Sequence, residues 1–158
     1  MQNENTKIFL NISCFSNGKA LARKLCLTIV RDGNIFQKND MENHMREFIK
    51  VMKAASDTTR VKILKMLQKK EMCVCEIQKA VGTAQSTASK HLKILEEAGL
   101  ITSFKDGLWV NYSLSDGSGS PYSASMIGNL KHWLDREPEI QALTEILPDI
   151  DRHEIVGK

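Results

Sequence analysis

Cys73 and Cys75, separated by a single residue, are the pair in this chain whose type and spacing could bind an ion. Thiolates are soft ligands that select soft or borderline ions such as cadmium, zinc and copper(I), and by the same reasoning trivalent arsenic or antimony. Both cysteines fall near the start of a short expected helix, 75–81, where the macrodipole favours the thiolate. On a regular helix residues i and i+2 point well apart. A chelate therefore requires Cys73 to lie in the extended approach to the helix, or the first turn to unwind. The competing reading of such cysteines is as small buried apolar residues, the usual fate of a free thiol. Cys14 and Cys26 carry that reading.

A second set of residues could touch nucleic acid. The helix expected over 84–98 has an inner face of Ala88, Leu92 and Leu95, and an outer face that is polar and basic. On that outer face Gln85 can make a bidentate contact to adenine, while Ser86, Thr87 and Ser89 can reach base edges or phosphates. Lys90 and Lys93, a turn further on, suit phosphate oxygens, and Lys105 beyond the helix suits another. A solvated helix face has the same composition. The elements around it must decide.

Those elements are ordered helix, helix, short strand, helix, helix, hairpin, helix. Met45, Phe48, Ile49, Met52 and Ala55 recur at helical spacing and predict a first helix over 42–55 with one apolar stripe. Ser56-Asp57 offers an N-cap for the next, which buries Val61, Ile63, Leu64 and Leu67 and runs to about Lys69. Glu71 to Val74 reads as a short strand, and Gly82 suits the left-handed end of the helix 75–81. Thr83 is positioned to cap the helix 84–98, and Gly99 ends it. Leu100–Lys105 and Leu108–Leu114 read as strands joined by Asp106-Gly107, a strong hairpin signal. Asp106 and Leu108 weaken the positive field at its tip, and Trp109, Val110 and Tyr112 are expected to pack the hairpin on the body. Met126, Ile127, Leu130, Trp133 and Leu134 form a further helical stripe, and a last short helix fits 139–146. Two helices joined by a Gly-containing turn and followed by a hairpin are the ingredients of a winged helix-turn-helix. The expected fold class is mainly α with a β-hairpin wing.

With 158 residues the chain has room for one ordinary domain and its extensions. The expected division is 1–40 as an N-terminal extension, 41–137 as the DNA-binding and dimerisation domain, and 138–158 as a C-terminal tail. In the extension Ile8, Leu10 and Ile12 alternate like a short strand, and Ser16-Asn17-Gly18 and Asp32-Gly33-Asn34 are turn signals. One expectation is that the working protein begins at Met41. A formal charge of +3 permits nucleic-acid binding without arguing for it. No apolar stretch approaches the roughly 18 residues of a membrane span, and Met1 to Asn5 do not open a signal peptide, so a cytoplasmic protein with no membrane partner is expected. There is no Gly-rich phosphate loop, zincin motif or nucleophile elbow, and the chain does not read as an enzyme.

Three stretches in order resemble the arsenical-resistance repressor (ArsR/SmtB) family of metalloregulators. They are Asp57-Thr58-Thr59-Arg60-Val61-Lys62-Ile63-Leu64, then Cys73-Val74-Cys75-Glu76-Ile77, then Ser86 to Leu92 continuing through Gly99-Leu100-Ile101. The resemblance covers roughly residues 45–135. It implies a winged-helix homodimer, with its first and last helices at the interface, that binds a palindromic operator in double-stranded DNA and releases it on metal capture. It also implies that the helices 76–81 and 84–98 are the two arms of the DNA-reading motif. Cys-Val-Cys matches the sensing motif of the arsenic- and cadmium-responsive branch. That branch commonly has a further cysteine three residues on, where this chain has Gln78. Trigonal arsenic(III) takes three sulfurs, so a cellular thiol, Cys14 or Cys26 is left to supply the third. The expected inducer is As(III) or Sb(III), with Cd or Pb next and Zn behind them.

Two other functions fit the same residues. Exposed reactive thiols oxidise readily, which allows a redox or persulfide sensor, although an i, i+2 bridge demands strained geometry. A metal chaperone or interaction module on a winged helix is the other, and the basic, Ser-rich face argues against it. Asp151-Arg152-His153-Glu154, His132 and Asp135 lack matching metal-ligand partners and read as surface. His91 is expected to pack or hydrogen-bond within the motif, and His44 carries no signal.

Overall fold

The computed structural model describes residues 7–11, 26–31 and 34–156, with side-chain surroundings for 42–155. Cys14 and the turn signals Ser16-Asn17-Gly18 and Asp32-Gly33 lie outside the described residues, and of Cys26 only the backbone is described. The chain divides into two compact units between Arg46 and Glu47.

The first unit holds three antiparallel strands, β1 (Lys7–Asn11), β2 (Cys26–Arg31) and β3 (Asn34–Gln37), in that spatial order. The apolar alternation at Ile8 and Leu10 lies on β1, whose register sets Lys7 opposite Val30 and Asn11 opposite Cys26. A long helix, α1 (Lys38–Ala55), follows.

The second unit is a helical body with a small sheet. Its elements are α2 (Thr58–Leu67), β4 (Met72–Cys73), α3 (Val74–Val81), α4 (Gln85–Glu97), β5 (Ile101–Asp106), β6 (Trp109–Leu114), α5 (Pro121–Leu130), α6 (Pro138–Ile146) and α7 (Arg152–Val156), with a 3-10 turn at Leu147–Asp149. The sheet order is β4-β6-β5, so the two-residue β4 pairs with the far strand of the hairpin. This is a winged helix-turn-helix, mainly α with a β-hairpin wing, as expected.

Local chemistry sets the boundaries. Asp57 caps α2 by accepting the Arg60 N–H at 3.0 Å. The Arg60 guanidinium donates to the carbonyls of Ala54 (2.6 Å) and Lys53 (2.9 Å), satisfying the C-terminal acceptors of α1 and fixing the bend between the two helices. Ile63, Leu64 and Met66 of α2 meet Ile77 of α3, Leu92 and Leu95 of α4, and Leu100 and Ile101 in one core. Burying each such side chain stabilises the fold by roughly 1.5–3 kcal/mol. Val61, expected in the core, is only half-buried at its margin.

Three expectations change here. The first is the start of α1, at Lys38 rather than 42; of its apolar stripe, Met45, Phe48 and Ile49 are 62, 39 and 41% exposed and Met52 packs against the core, while Val51 and Ala54 turn inward. The second change is the end of α5, which stops at Leu130 and leaves Trp133 and Leu134 exposed. The buried Lys65 ammonium is the cause: it draws in the carbonyls of Leu130 and Trp133, both at 3.0 Å, and pairs with Asp135 at 2.5 Å. The third concerns the segment expected as a tail. Leu143, Leu147 and Ile150 are buried in the core, because α6 carries apolar side chains back onto α2.

Candidate functional site

The turn between α3 and α4 positions the groove-reading surface. Gly82 ends α3 with φ +67, a left-handed conformation open to glycine at little cost, and its N–H donates to the Gln78 carbonyl at 3.0 Å. Thr83 does not cap the next helix, contrary to expectation. Ala84 occupies the N-cap, and its carbonyl receives the N–H groups of Thr87 (2.9 Å) and Ala88 (3.0 Å). The turn is one residue longer than the sequence pattern suggested, and Thr83 Oγ1 is left buried without a partner.

On α4 the two faces separate as expected. Ala88, Leu92 and Leu95 are fully buried, whereas Gln85, Ser86, Thr87, Ser89, Lys90 and Lys93 are all exposed on the opposite side. No hydrogen bond or ion pair among the described residues occupies these outer side chains. At the end of the helix, Leu100 and Gly99 donate to the carbonyls of Leu95 (3.0 Å) and Glu96 (2.9 Å), turning the chain directly into the wing. His91 packs between α4 and the start of α2. Its Nδ1 makes no hydrogen bond and lies 3.7 Å from Asp57 Oδ1.

The hairpin register corrects the wing turn. Asp106 pairs with Trp109, so the connecting residues are Gly107 and Leu108 rather than Asp106 and Gly107. A positive φ at the first central residue alone (Gly107, +59) is the pattern of a type II′ hairpin turn. Leu108 is 96% exposed at the tip. Lys105 is exposed too, opposite Val110. Of the three residues expected to pack the wing down, Tyr112 meets the core and Trp109 is half-buried, but Val110 faces out. Burial, assisted by the nearby Glu96 carboxylate, pushes the Tyr112 phenol above its usual value. Ser103 donates to Glu96 at 2.5 Å, tying the wing to the end of α4.

The thiol pair sits where these parts join. Cys73 is the N-cap of α3 in extended conformation (φ −80, ψ 167), which meets the stated requirement for convergence. Its sulfur and that of Cys75 are brought together as a disulfide across Cα atoms 5.5 Å apart. The same convergence serves a chelate by the reduced pair. Cys73 is fully buried, and Cys75 is half-buried. The Cys73 N–H donates to Glu76 Oε2 at 2.7 Å, the return half of a capping box. Lys70 stands 4.0 Å from the other Glu76 oxygen and donates to the Ile150 carbonyl at 2.7 Å. Cys73 is also directly opposite Asn111 of β6.

Sequence reasoning missed Glu76, Lys70 and Arg152. A Glu three residues after Cys73, the capping-box spacing, is the signal for Glu76; Lys70 and Arg152 carry none, because Ile150, Asn111 and Asp106 are distant from them in sequence. For a soft ion the donor set fits in part. Two sulfurs converge, but Gln78 holds the place of a third, and no group of three His, Cys, Asp or Glu gathers among the described residues. Asp151 accepts the His153 N–H at 2.7 Å in a local turn, and Asp135 is engaged by Lys65.

A family model described as "Bacterial regulatory protein, arsR family" matches residues 57–103. A cadmium resistance transcriptional regulatory protein CadC homolog from Staphylococcus aureus is 38% identical over 84 residues, spanning 52% of this chain and 69% of that protein. An arsenical resistance operon repressor from Escherichia coli is 33% identical over 100 residues, spanning 63% of this chain and 83% of that protein. This chain belongs to the ArsR family. Solved structures agree with an ArsR-family fold. Reduced HlyU from Vibrio cholerae superposes with TM-score 0.51 at 30% identity, over 62% of this chain and 99% of that one. The homodimeric winged helix-turn-helix domain Mb0332 from Mycobacterium bovis superposes with TM-score 0.50 at 21% identity, over 74% of this chain and 95% of that one, a likeness of fold alone. The ArsR-family match spans the cap of α2, the thiol pair, α4 and the first part of β5. No described helix of the chain is long and apolar enough to cross a membrane.

Proposed function

We propose that this ArsR-family regulator is a metal- or metalloid-responsive transcriptional repressor acting in the cytoplasm. As a homodimer it holds double-stranded operator DNA, and it lets go when Cys73 and Cys75 capture As(III) or Sb(III), with Cd or Pb as the next candidates. The working domain is 41–137 together with the segment 138–155 that packs into its core. Gln85 reads a base edge; Ser86, Thr87 and Ser89 lie along the groove; Lys90, Lys93 and Lys105 take phosphates.

One observation carries this reading: Cys73 is at once the N-cap of α3 and the partner of Asn111 on the wing strand. A soft ion supplies the sulfur affinity that draws the two cysteines to it. Cys75 lies in the first turn of α3, so any change in its position relative to Cys73 re-aims that helix and, through Gly82, α4. Glu76 holds the Cys73 amide and resists the change, which gives the arrangement two settings. A coupling of about 1–3 kcal/mol alters DNA affinity about 5–150-fold, and by linkage DNA weakens ion binding by the same factor.

Titrating operator-bound protein with arsenite, antimonite, cadmium and zinc, read by fluorescence anisotropy, tests the proposal. Arsenite or antimonite is expected to release the DNA first under reducing conditions. Cys73→Ser with Cys75→Ser is expected to keep operator affinity and lose release; release retained in that double variant overturns the sensing site.

A redox or persulfide sensor is the second reading, favoured by the bridged state of the two sulfurs. Release by a mild oxidant, reversed by dithiothreitol and indifferent to arsenite, selects it.

A further inference from the structure

Asp106 is an awkward residue for a surface that meets phosphate. It sits beside Lys105 at the wing tip and is well exposed, so its carboxylate opposes the field that Lys105 provides. The structure sets a counter-charge against it from far along the chain. Arg152 opens α7, and one nitrogen of its guanidinium, Nη1, lies 3.9 Å from Asp106 Oδ2 and donates to Asn111 Oδ1 at 3.2 Å. Asn111 is buried on β6, directly across from Cys73. The segment that delivers Arg152 is itself anchored: Ile150 is in the core, and its carbonyl accepts from Lys70. Arg152 is therefore held on the wing by a fixed base, and it touches both the strand that meets the thiol pair and the acid at the tip.

We propose that Arg152 is a positioning residue for the wing: it holds Asn111 and screens Asp106, so that the hairpin offers Lys105 to DNA with its acidic neighbour neutralised. The proposal rests on the DNA-binding reading above. An ion pair this exposed contributes little to stability. Its effect belongs to the field at the wing and to the order of the hairpin, and it acts by charge, which a structural role would not.

The test uses the full chain in a Trp133→Phe background, leaving Trp109 as the fluorescent reporter on the wing. Arg152→Ala is expected to raise the mobility of Trp109, seen as lower steady-state anisotropy without DNA. It is also expected to weaken operator binding roughly three- to tenfold at low salt, the scale of one charge beside a phosphate array. Adding Asp106→Asn to Arg152→Ala restores most of the affinity, because the unscreened acid is gone. Arg152→Lys retains the screening and most of the affinity. If Arg152→Ala binds operator as its parent does, or if Asp106→Asn fails to rescue it, the screening role is overturned. If the parent binds no operator but Trp109 still loosens in Arg152→Ala, the brace on Asn111 stands while the screening of a DNA contact falls together with the repressor reading. Unchanged Trp109 anisotropy overturns the brace.

Discussion

At the scale of single residues, the exposed side of α4 separates two kinds of contact that substitution can tell apart. Lys90→Ala is expected to weaken binding across DNA sequences and lower the salt slope by about 1, as loss of one phosphate contact does. Gln85→Ala is expected instead to relax preference at one base pair, costing roughly 1–3 kcal/mol against the preferred operator and little on others. Competition gel shifts with single-base operator variants distinguish them; the same loss in both variants contradicts these roles. The groove-facing residues were legible because 3.6-residue spacing sorts α4 into a buried and a polar side without any knowledge of the fold. Lys65 was not. A lysine inside an apolar helix pattern looks like a solvated charge, and only the three-dimensional structure reveals the carbonyls that surround it. Its partner Asp135 gives a pH signature. The hydrogen bond from Lys65 holds the Asp135 carboxyl below the ordinary carboxylate range. A depressed folded value means that the stabilisation is complete above the unfolded value of about 4 and disappears as pH falls through the folded one. Asp135→Asn is thus expected to lower the urea midpoint at neutral pH, modestly because Asp135 is half-exposed. Its midpoint should converge with that of the unaltered protein in strong acid; a constant difference across pH rejects the link.

At the scale of elements, the turn between α3 and α4 decides whether the reading surface is presented at all. Gly82 has open space around it, so adding a methyl group there costs only backbone strain. Gly82→Ala is expected to lose roughly 1–2 kcal/mol of stability, the cost of the left-handed region for an ordinary residue. It should also weaken operator binding beyond what unfolding accounts for; chemical denaturation beside anisotropy checks both, and full affinity in a folded variant refutes the turn's role. Most elements were readable because Gly82, Gly99 and Asp57 act within a few residues of themselves. The errors came where neighbours outside the local window decide. Thr83 lost its capping role to a turn one residue longer, and the hairpin turn moved to Gly107-Leu108 because strand register, not dipeptide preference, fixes it. The helix α5 stops short of the expected stripe where Lys65, on another element, takes its last carbonyl, Leu130, and that of Trp133 in the turn beyond.

At the scale of the whole molecule, the exposed apolar side of α1 bears on assembly. Met45, Phe48 and Ile49 stand open to solvent, and the Phe48 ring lies edge-on to Tyr122 of α5 at 5.5 Å. In the proposed homodimer a second copy covers them, and Ile49→Glu is expected to give a folded monomer with greatly reduced operator affinity. Sedimentation equilibrium and circular dichroism test this; a dimer that persists moves the interface elsewhere. The chain's spacing displayed that stripe but not its destination, since burial by another molecule leaves the same pattern as burial by the chain itself. The hydrogen bond from the Cys73 amide to Glu76 makes the thiol-to-wing connection observable without DNA. The Cys73 amide proton is held by a carboxylate, so its nitrogen-15 NMR cross-peak should stand apart, shifted to low field and slow to exchange with deuterium. Whatever seizes the two sulfurs must disturb that proton first, and the cross-peak becomes a direct gauge of which setting the molecule occupies.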